Sequence, residues 1–172
     1  MATSKRLKAL GRRQIDPLDA RAARAAALDA LARRDHATED LRRKLLEKGY
    51  DASVVTPLLE ALRSEKLLDD RRYTENFVAY HAARGQGPVR VRAELRRRGL
   101  EGGLVEECLN AFPGWISQLR RAQHKKFGEK PAAGFTDQQR QARFLSYRGF
   151  TSAQIRTALG FDIDLDSDDH DP

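Results

Sequence analysis

Three glycines, Gly49, Gly99 and Gly149, stand 50 residues apart in this 172-residue chain. Other columns keep the same register. Leu45, Leu95 and Leu145 stand four residues before each glycine, and Lys48, Arg98 and Arg148 immediately before it. Tyr50, Leu100 and Phe150 follow each glycine, then Val55, Val105 and Ile155, then Leu59, Leu109 and Leu159. A fixed period of this length is the signature of stacked supersecondary units, each too small to bury a sufficient core alone. The register therefore predicts three tandem units rather than one large globule.

Apolar spacing makes each unit helical. In the first, the stretch 17–34 carries Ala23, Ala27, Leu28 and Leu31 as an apolar stripe. Thr38 is the expected N-cap of a second helix, with Leu41, Leu45 and Leu46 facing inward and Gly49 ending it. Asp51 or Ser53 opens a third helix with Val54, Val55, Leu58, Leu59 and Leu62 inside. In the second unit, Asp69-Asp70 caps a helix whose expected inner face is Tyr73, Phe77, Tyr80 and His81. Pro88 opens a basic helix over 89–98 with Val91 and Leu95 inward, and Leu104, Val105, Cys108 and Leu109 line the next. The third unit reads as helices over 115–127, 136–148 and 151–159.

The predicted fold is all-α: three tandem three-helix repeats in an elongated, curved array. The expected boundaries are a basic flexible arm (1–16), repeats at 17–67, 68–113 and 114–161, and an acidic disordered tail (162–172). That tail holds six aspartates and no Lys or Arg, so the formal charge of +7 conceals a body near about +13. A body that basic favours a polyanionic partner, nucleic acid first. A solvated basic surface that only aids solubility is the plainer alternative.

Arg90, Arg92, Arg96, Arg97 and Arg98 crowd one short helix with only Glu94 among them. Arg42, Arg43 and Lys48 repeat the theme in the first unit and Arg148 in the third, with further clusters at Lys5, Arg6, Lys8, Arg12 and Arg13, at Lys44, and at Arg120, Arg121, Lys125 and Lys126. The planar guanidinium fork pairs with phosphate or carboxylate. Arginine-rich helices hold phosphates without specifying bases, so sequence-specific readout is not expected. No catalytic constellation, nucleotide-binding loop, cofactor signature or metal spacing is legible. Gly85-Gln86-Gly87 follows a helix and lacks the rest of a dinucleotide fingerprint, and His36, His81, His124 and His170 are scattered. Cys108 is the single cysteine and belongs to an apolar helical stripe, so it is expected in the core. A binding protein rather than an enzyme is expected, cytoplasmic and without membrane spans.

Two segments carry a family resemblance: Leu67-Leu68-Asp69-Asp70-Arg71-Arg72-Tyr73-Thr74-Glu75-Asn76-Phe77, and Gly87-Pro88-Val89-Arg90-Val91-Arg92-Ala93-Glu94-Leu95-Arg96-Arg97-Arg98-Gly99-Leu100. Together they resemble the signature of the RecX family of recombination regulators. Leu45-Leu46-Glu47-Lys48-Gly49-Tyr50 fits that family's first unit and Arg143-Phe144-Leu145-Ser146-Tyr147-Arg148-Gly149-Phe150 its last. The likeness runs from about Ala26 to Leu159. It implies a modulator, mainly an inhibitor, of the RecA recombinase in recombination, DNA repair and the SOS response. Such proteins lie in the groove of the RecA–single-stranded DNA filament, where they interfere with its growth, ATP hydrolysis and strand exchange. The partners so implied are RecA and single-stranded DNA, with duplex DNA beside them; nothing in the sequence demands a dimer, so a monomer is expected. The residues alone leave two other readings open: a stand-alone nucleic-acid-binding protein with helix-turn-helix-like units, and a helical-repeat scaffold for another protein.

Overall fold

The computed structural model describes residues 15–129 and 132–160. The expected basic arm and acidic tail therefore lie outside the described residues, but for the ends at 15–16. Among the described residues the chain forms nine α-helices and no strand. They are α1 (Ala20–Arg33), α2 (Thr38–Glu47), α3 (Ala52–Ser64), α4 (Asp70–Ala83), α5 (Pro88–Arg97), α6 (Gly103–Ala111), α7 (Trp115–Phe127), α8 (Phe135–Tyr147) and α9 (Ser152–Leu159). The helices fall into three triples, an all-α repeat array.

The 50-residue register records one local device used three times. Gly49, Gly99 and Gly149 take φ of 103°, 77° and 88°, the left-handed region open to a residue without Cβ. In each case the amide after the glycine donates to the leucine carbonyl five residues back: Tyr50 to Leu45 at 3.2 Å, Leu100 to Leu95 and Phe150 to Leu145 at 3.1 Å. This is a Schellman closure, which satisfies an orphan carbonyl and folds the residue after the glycine onto the last turn. All six side chains are buried. The leucine column and the apolar column after the glycine are thus two sides of one contact.

The register extends from α1, which starts at Ala20, to α4, but not to the first helix of the third triple. α4 starts at Asp70 but α7 at Trp115, and a longer connection between α7 and α8 restores the phase.

The chain divides into two compact units, Met1–Leu68 and Asp69–Pro172. In the first, Ala23, Ala27 and Ala30 of α1 pack with Leu41, Leu45, Val55, Leu59 and Leu62. Three expectations here are corrected. Leu28 is 37% exposed and Leu46 38% exposed, each one position off the buried stripe of its helix. Alanines instead form the buried face of α1, which lets neighbouring helices approach closely. Thr38 is not the cap of α2. Ala37 holds that place without a side-chain bond, and the Thr38 hydroxyl accepts from Arg63 Nε at 3.2 Å. Asp51 caps α3 by accepting from the Ser53 amide at 2.8 Å.

The second unit holds the remaining six helices. Asp69 caps α4, accepting from the Arg72 amide at 3.0 Å. The inner face of α4 is Tyr73, Thr74, Val78 and Ala82. Tyr80, expected inside, is 57% exposed because it lies a third of a turn away from that face. Val91 and Leu95 of α5 and Val105, Cys108 and Leu109 of α6 are buried as expected.

Backbone contact ties the second triple to the third. The Gly87 amide donates to the Arg148 carbonyl at 2.8 Å, and the Val89 amide to the Gly149 carbonyl at 3.0 Å. A Cβ on Gly87 would fall 2.2 Å from the Gly149 carbonyl carbon, so a side chain there has no room. Trp115 adds a second tie: its indole N–H donates to the Leu109 carbonyl at 2.9 Å from a buried position. Thr151 and Gln154 close a full capping box at the start of α9.

Candidate nucleic-acid interface

The arginine helix α5 is basic in composition, but its guanidinium groups are largely committed inside the protein. Arg92 grips Glu106 of α6 with two parallel bonds, Nε to Oε1 at 2.6 Å and Nη2 to Oε2 at 2.8 Å. These bonds hold the Glu106 carboxyl below its ordinary range and make the Arg92 proton harder to remove. Arg97 pairs with Glu94 at 2.8 Å, and Arg96 approaches Glu101 at 3.7 Å. Such exposed pairs contribute only about 0–1 kcal/mol each to stability. A phosphate that enters must compete with a carboxylate already in place.

Arg90 and Arg98 differ. Neither pairs with a carboxylate among the described residues. Arg98 lays its guanidinium over the Phe77 ring, 5.0 Å from the centroid, and its Nε is buried without a hydrogen-bond partner among the described residues. Arg90 sits at the Gly87–Gly149 junction, its backbone nitrogen 2.7 Å from where a Gly149 Cβ would stand.

In the first unit, Arg43 is bound to Asp40 at 2.6 Å. Burial pushes the Asp40 carboxyl up, but His36 at 3.0 Å, Arg43 and Arg34 outweigh it and leave Asp40 below its ordinary value. Burial in turn drives the His36 imidazole down. Arg42 and Lys48 have no carboxylate partner among the described residues.

The third triple presents cations differently. α7 and α8, with the end of α4, enclose a cleft of about 410 Å³. Arg84, Arg121, Lys125, Lys126 and Arg148 line it, and none of its ten lining residues is acidic. Arg84 is also the guanidinium stacked 5.2 Å from the Tyr80 ring centroid. Arg148 stacks 5.3 Å from the centroid of Phe144, which lines the cleft as well. Of the predicted site residues only Arg148 belongs to this cleft. Arg121, Lys125 and Lys126 were visible as a basic cluster; Arg84, Gln118 and Phe144 were not singled out.

A sequence signal for the cleft exists in the repeat register. Glu94, Glu101, Glu106 and Glu107 neutralise arginines in the second triple. Fifty residues later stand Phe144, Thr151, Arg156 and Thr157. The second triple has its own cavity of about 550 Å³ under α4 and α6, but there Arg71 is bound to Glu107 at 2.6 Å with Glu75 beside it. The third triple has no carboxylate at those four positions, although Asp137 there binds Arg140 at 2.6 Å.

Among the described residues no group of three or more His, Cys, Asp or Glu is placed to hold a metal ion, and no helix is long and apolar enough to cross a membrane. Cys108 is buried, and burial pushes its thiol up, away from the reactive thiolate.

These features define a class, the all-helical tandem-repeat proteins whose units are three-helix bundles. The chain belongs within it to the RecX family of regulatory proteins. The family's first three-helix domain matches residues 23–62, its second 69–109 and its third 116–159. The regulatory protein RecX of Halorhodospira halophila is 46% identical over 138 residues, which cover 80% of this chain and 86% of that protein. The regulatory protein RecX of Pseudomonas fluorescens is 39% identical over 145 residues, 83% of this chain and 94% of that protein. The crystal structure of RecX from Lactobacillus salivarius superposes with a TM-score of 0.74 at 17% identity, covering 83% of this chain and 95% of that one, a likeness of fold.

Proposed function

We propose that this chain is a monomeric regulator, mainly an inhibitor, of a RecA-type recombinase, with no catalytic step of its own. It binds in the groove of the RecA–single-stranded DNA filament and restrains filament growth, ATP hydrolysis and strand exchange. The observation that carries this reading is the cleft of the third triple, where five cations face solvent-filled space with no carboxylate among the lining residues. Such a site costs nothing in broken internal ion pairs when a phosphate enters. Arg90 and Arg98 add further cations in the same unit, and Arg42 and Lys48 of the first unit offer a separate basic contact. Arg92, Arg96 and Arg97, and in the first unit Arg43, serve as second contacts, which exchange a glutamate or aspartate for a phosphate or an acidic patch of RecA. Family membership supplies the RecA half of the proposal and the charge distribution the DNA half.

The test is the single-stranded-DNA-dependent ATPase rate of RecA with this protein titrated in, at two salt concentrations, beside its affinity for free DNA. Inhibition at levels well below those that coat free DNA is expected, weakening steeply with salt. An effect that only tracks DNA coating would favour a stand-alone nucleic-acid-binding protein instead.

A further inference from the structure

The cleft has a neighbour. A second cavity of about 460 Å³ is lined by Lys126, Phe127, Arg140 and Phe144. It shares Lys126 and Phe144 with the first, so the two form adjoining compartments of one trough along α7 and α8. Each compartment is in the size range of a small-molecule site, large enough for one nucleotide. Cations line both, though Arg140 of the second is bound to Asp137 at 2.6 Å, and the residues they share are one ammonium and one aromatic ring. Phe127 and Phe144 meet edge to face, their centroids 5.4 Å apart, so Phe144 is fixed by its neighbour.

The ring and the charges fit one kind of ligand. A bare phosphate would need the cations alone. Duplex DNA presents phosphates outward and hides its bases in the stack, so an aromatic wall would gain nothing from it. Single strands expose both, and a basic groove with interleaved aromatics is how proteins hold them without regard to sequence. One more group points the same way. Gln118 lines the first compartment, and its Oε1 is buried with no hydrogen-bond partner among the described residues. The surrounding cations do not donate to it, and a base carrying amino or imino hydrogens can once the side chain turns outward.

We propose that the α7–α8 trough takes successive nucleotides of single-stranded nucleic acid, with phosphates on Arg121, Lys125 and Lys126 and unstacked bases against Phe144 and Gln118. The inference deepens the filament reading and rests on it for biological context, but it can fail separately. The two joined compartments favour a strand over a free mononucleotide, which would occupy only one.

The experiment uses the full chain and a fluorescent oligothymidylate of about 15 nucleotides, read by anisotropy. It is compared with an abasic strand of equal length, a duplex of the same length and free thymidine monophosphate as competitor. The normal strand is expected to bind about tenfold tighter than the abasic strand, the scale of one or two stacked bases. Phe144→Leu should erase that difference, Phe144→Tyr should restore it, and the surface change Lys125→Glu should weaken both strands by about tenfold through lost phosphate contact. Equal affinity for normal and abasic strands, or a preference for duplex, overturns the proposal. Competition by the mononucleotide at concentrations matching the oligomer per nucleotide overturns it in favour of a free-nucleotide site. RecA ATPase inhibition by the same variants separates the two ideas. Inhibition that persists without base dependence removes the trough and leaves the regulator; base-dependent binding without inhibition does the reverse.

Discussion

The second and third triples carry the same closing turns, Leu95–Leu100 and Leu145–Phe150, and the same 50-residue register through their last two helices. Their surfaces differ in what holds the charges. In the second, Glu94, Glu101, Glu106 and Glu107 each occupy an arginine. In the third, those columns read Phe144, Thr151, Arg156 and Thr157; Asp137 binds Arg140, but Arg121, Lys125, Lys126 and Arg148 line a cleft without an acid. The helix with the most arginines is therefore not the one with the most available charge. A bound guanidinium must give up its carboxylate before it takes a phosphate, whereas an unpaired one gains the whole contact.

The largest expected effect comes from separating the two triples. Gly87→Ala pushes a methyl group into the Gly149 backbone, which cannot yield as a flexible side chain would. A loss of about 3 kcal/mol in unfolding free energy is expected by chemical denaturation. A neutral result would mean that the junction is not the tie described here. Next comes the double reversal Arg121→Glu with Lys125→Glu, expected to lower affinity for the DNA filament about fiftyfold and to flatten its salt dependence. The matching reversal Arg92→Glu with Arg96→Glu in the second triple should cost clearly less, and equal losses would erase the contrast. The contrast can also be inverted. Glu106→Gln leaves Arg92 without its fork partner and should raise affinity about twofold to threefold.

The smallest effect is one of pH. Glu106 has a folded value held below its ordinary one by Arg92, so its contribution is present above the ordinary carboxyl range and is lost as pH falls through the depressed value. Thermal unfolding of the parent and of Glu106→Gln should therefore differ at neutral pH and converge in acid. A gap that stays constant with pH would assign the difference to something other than this ion pair.

Much of this was legible beforehand because it is local. The glycine columns, the leucines before them and the apolar residues after them encode a turn that each unit makes from its own backbone. Asp51, Asp69 and Thr151 cap helices with bonds that reach only two or three residues. The inward faces of α5 and α6 follow from spacing alone. Where the reading missed, the deciding contact was distant. Thr38 resembles a cap, but the chain enters α2 through a buried Ala37 and gives the Thr38 hydroxyl to Arg63. Leu28, Leu46 and Tyr80 look like core residues by type, and each lies just off the face its neighbours cover.

The site divides in the same way. Sequence by itself determined the helices, the caps at Asp51 and Asp69, the three-fold repetition and the basic balance, since all of these depend on residues within a few positions of one another or on a simple count. It also held the swap of four carboxylates between repeats, visible once the register is drawn. Only the tertiary structure decided which cations are spoken for, because Arg92 meets Glu106 across 14 residues and Arg71 meets Glu107 across 36. It alone brought Arg84, at the end of α4, and Arg148, at the end of α8, into one cleft. Electrostatic availability depends on distances between helices, and those are set by packing, not by the order of residues along the chain.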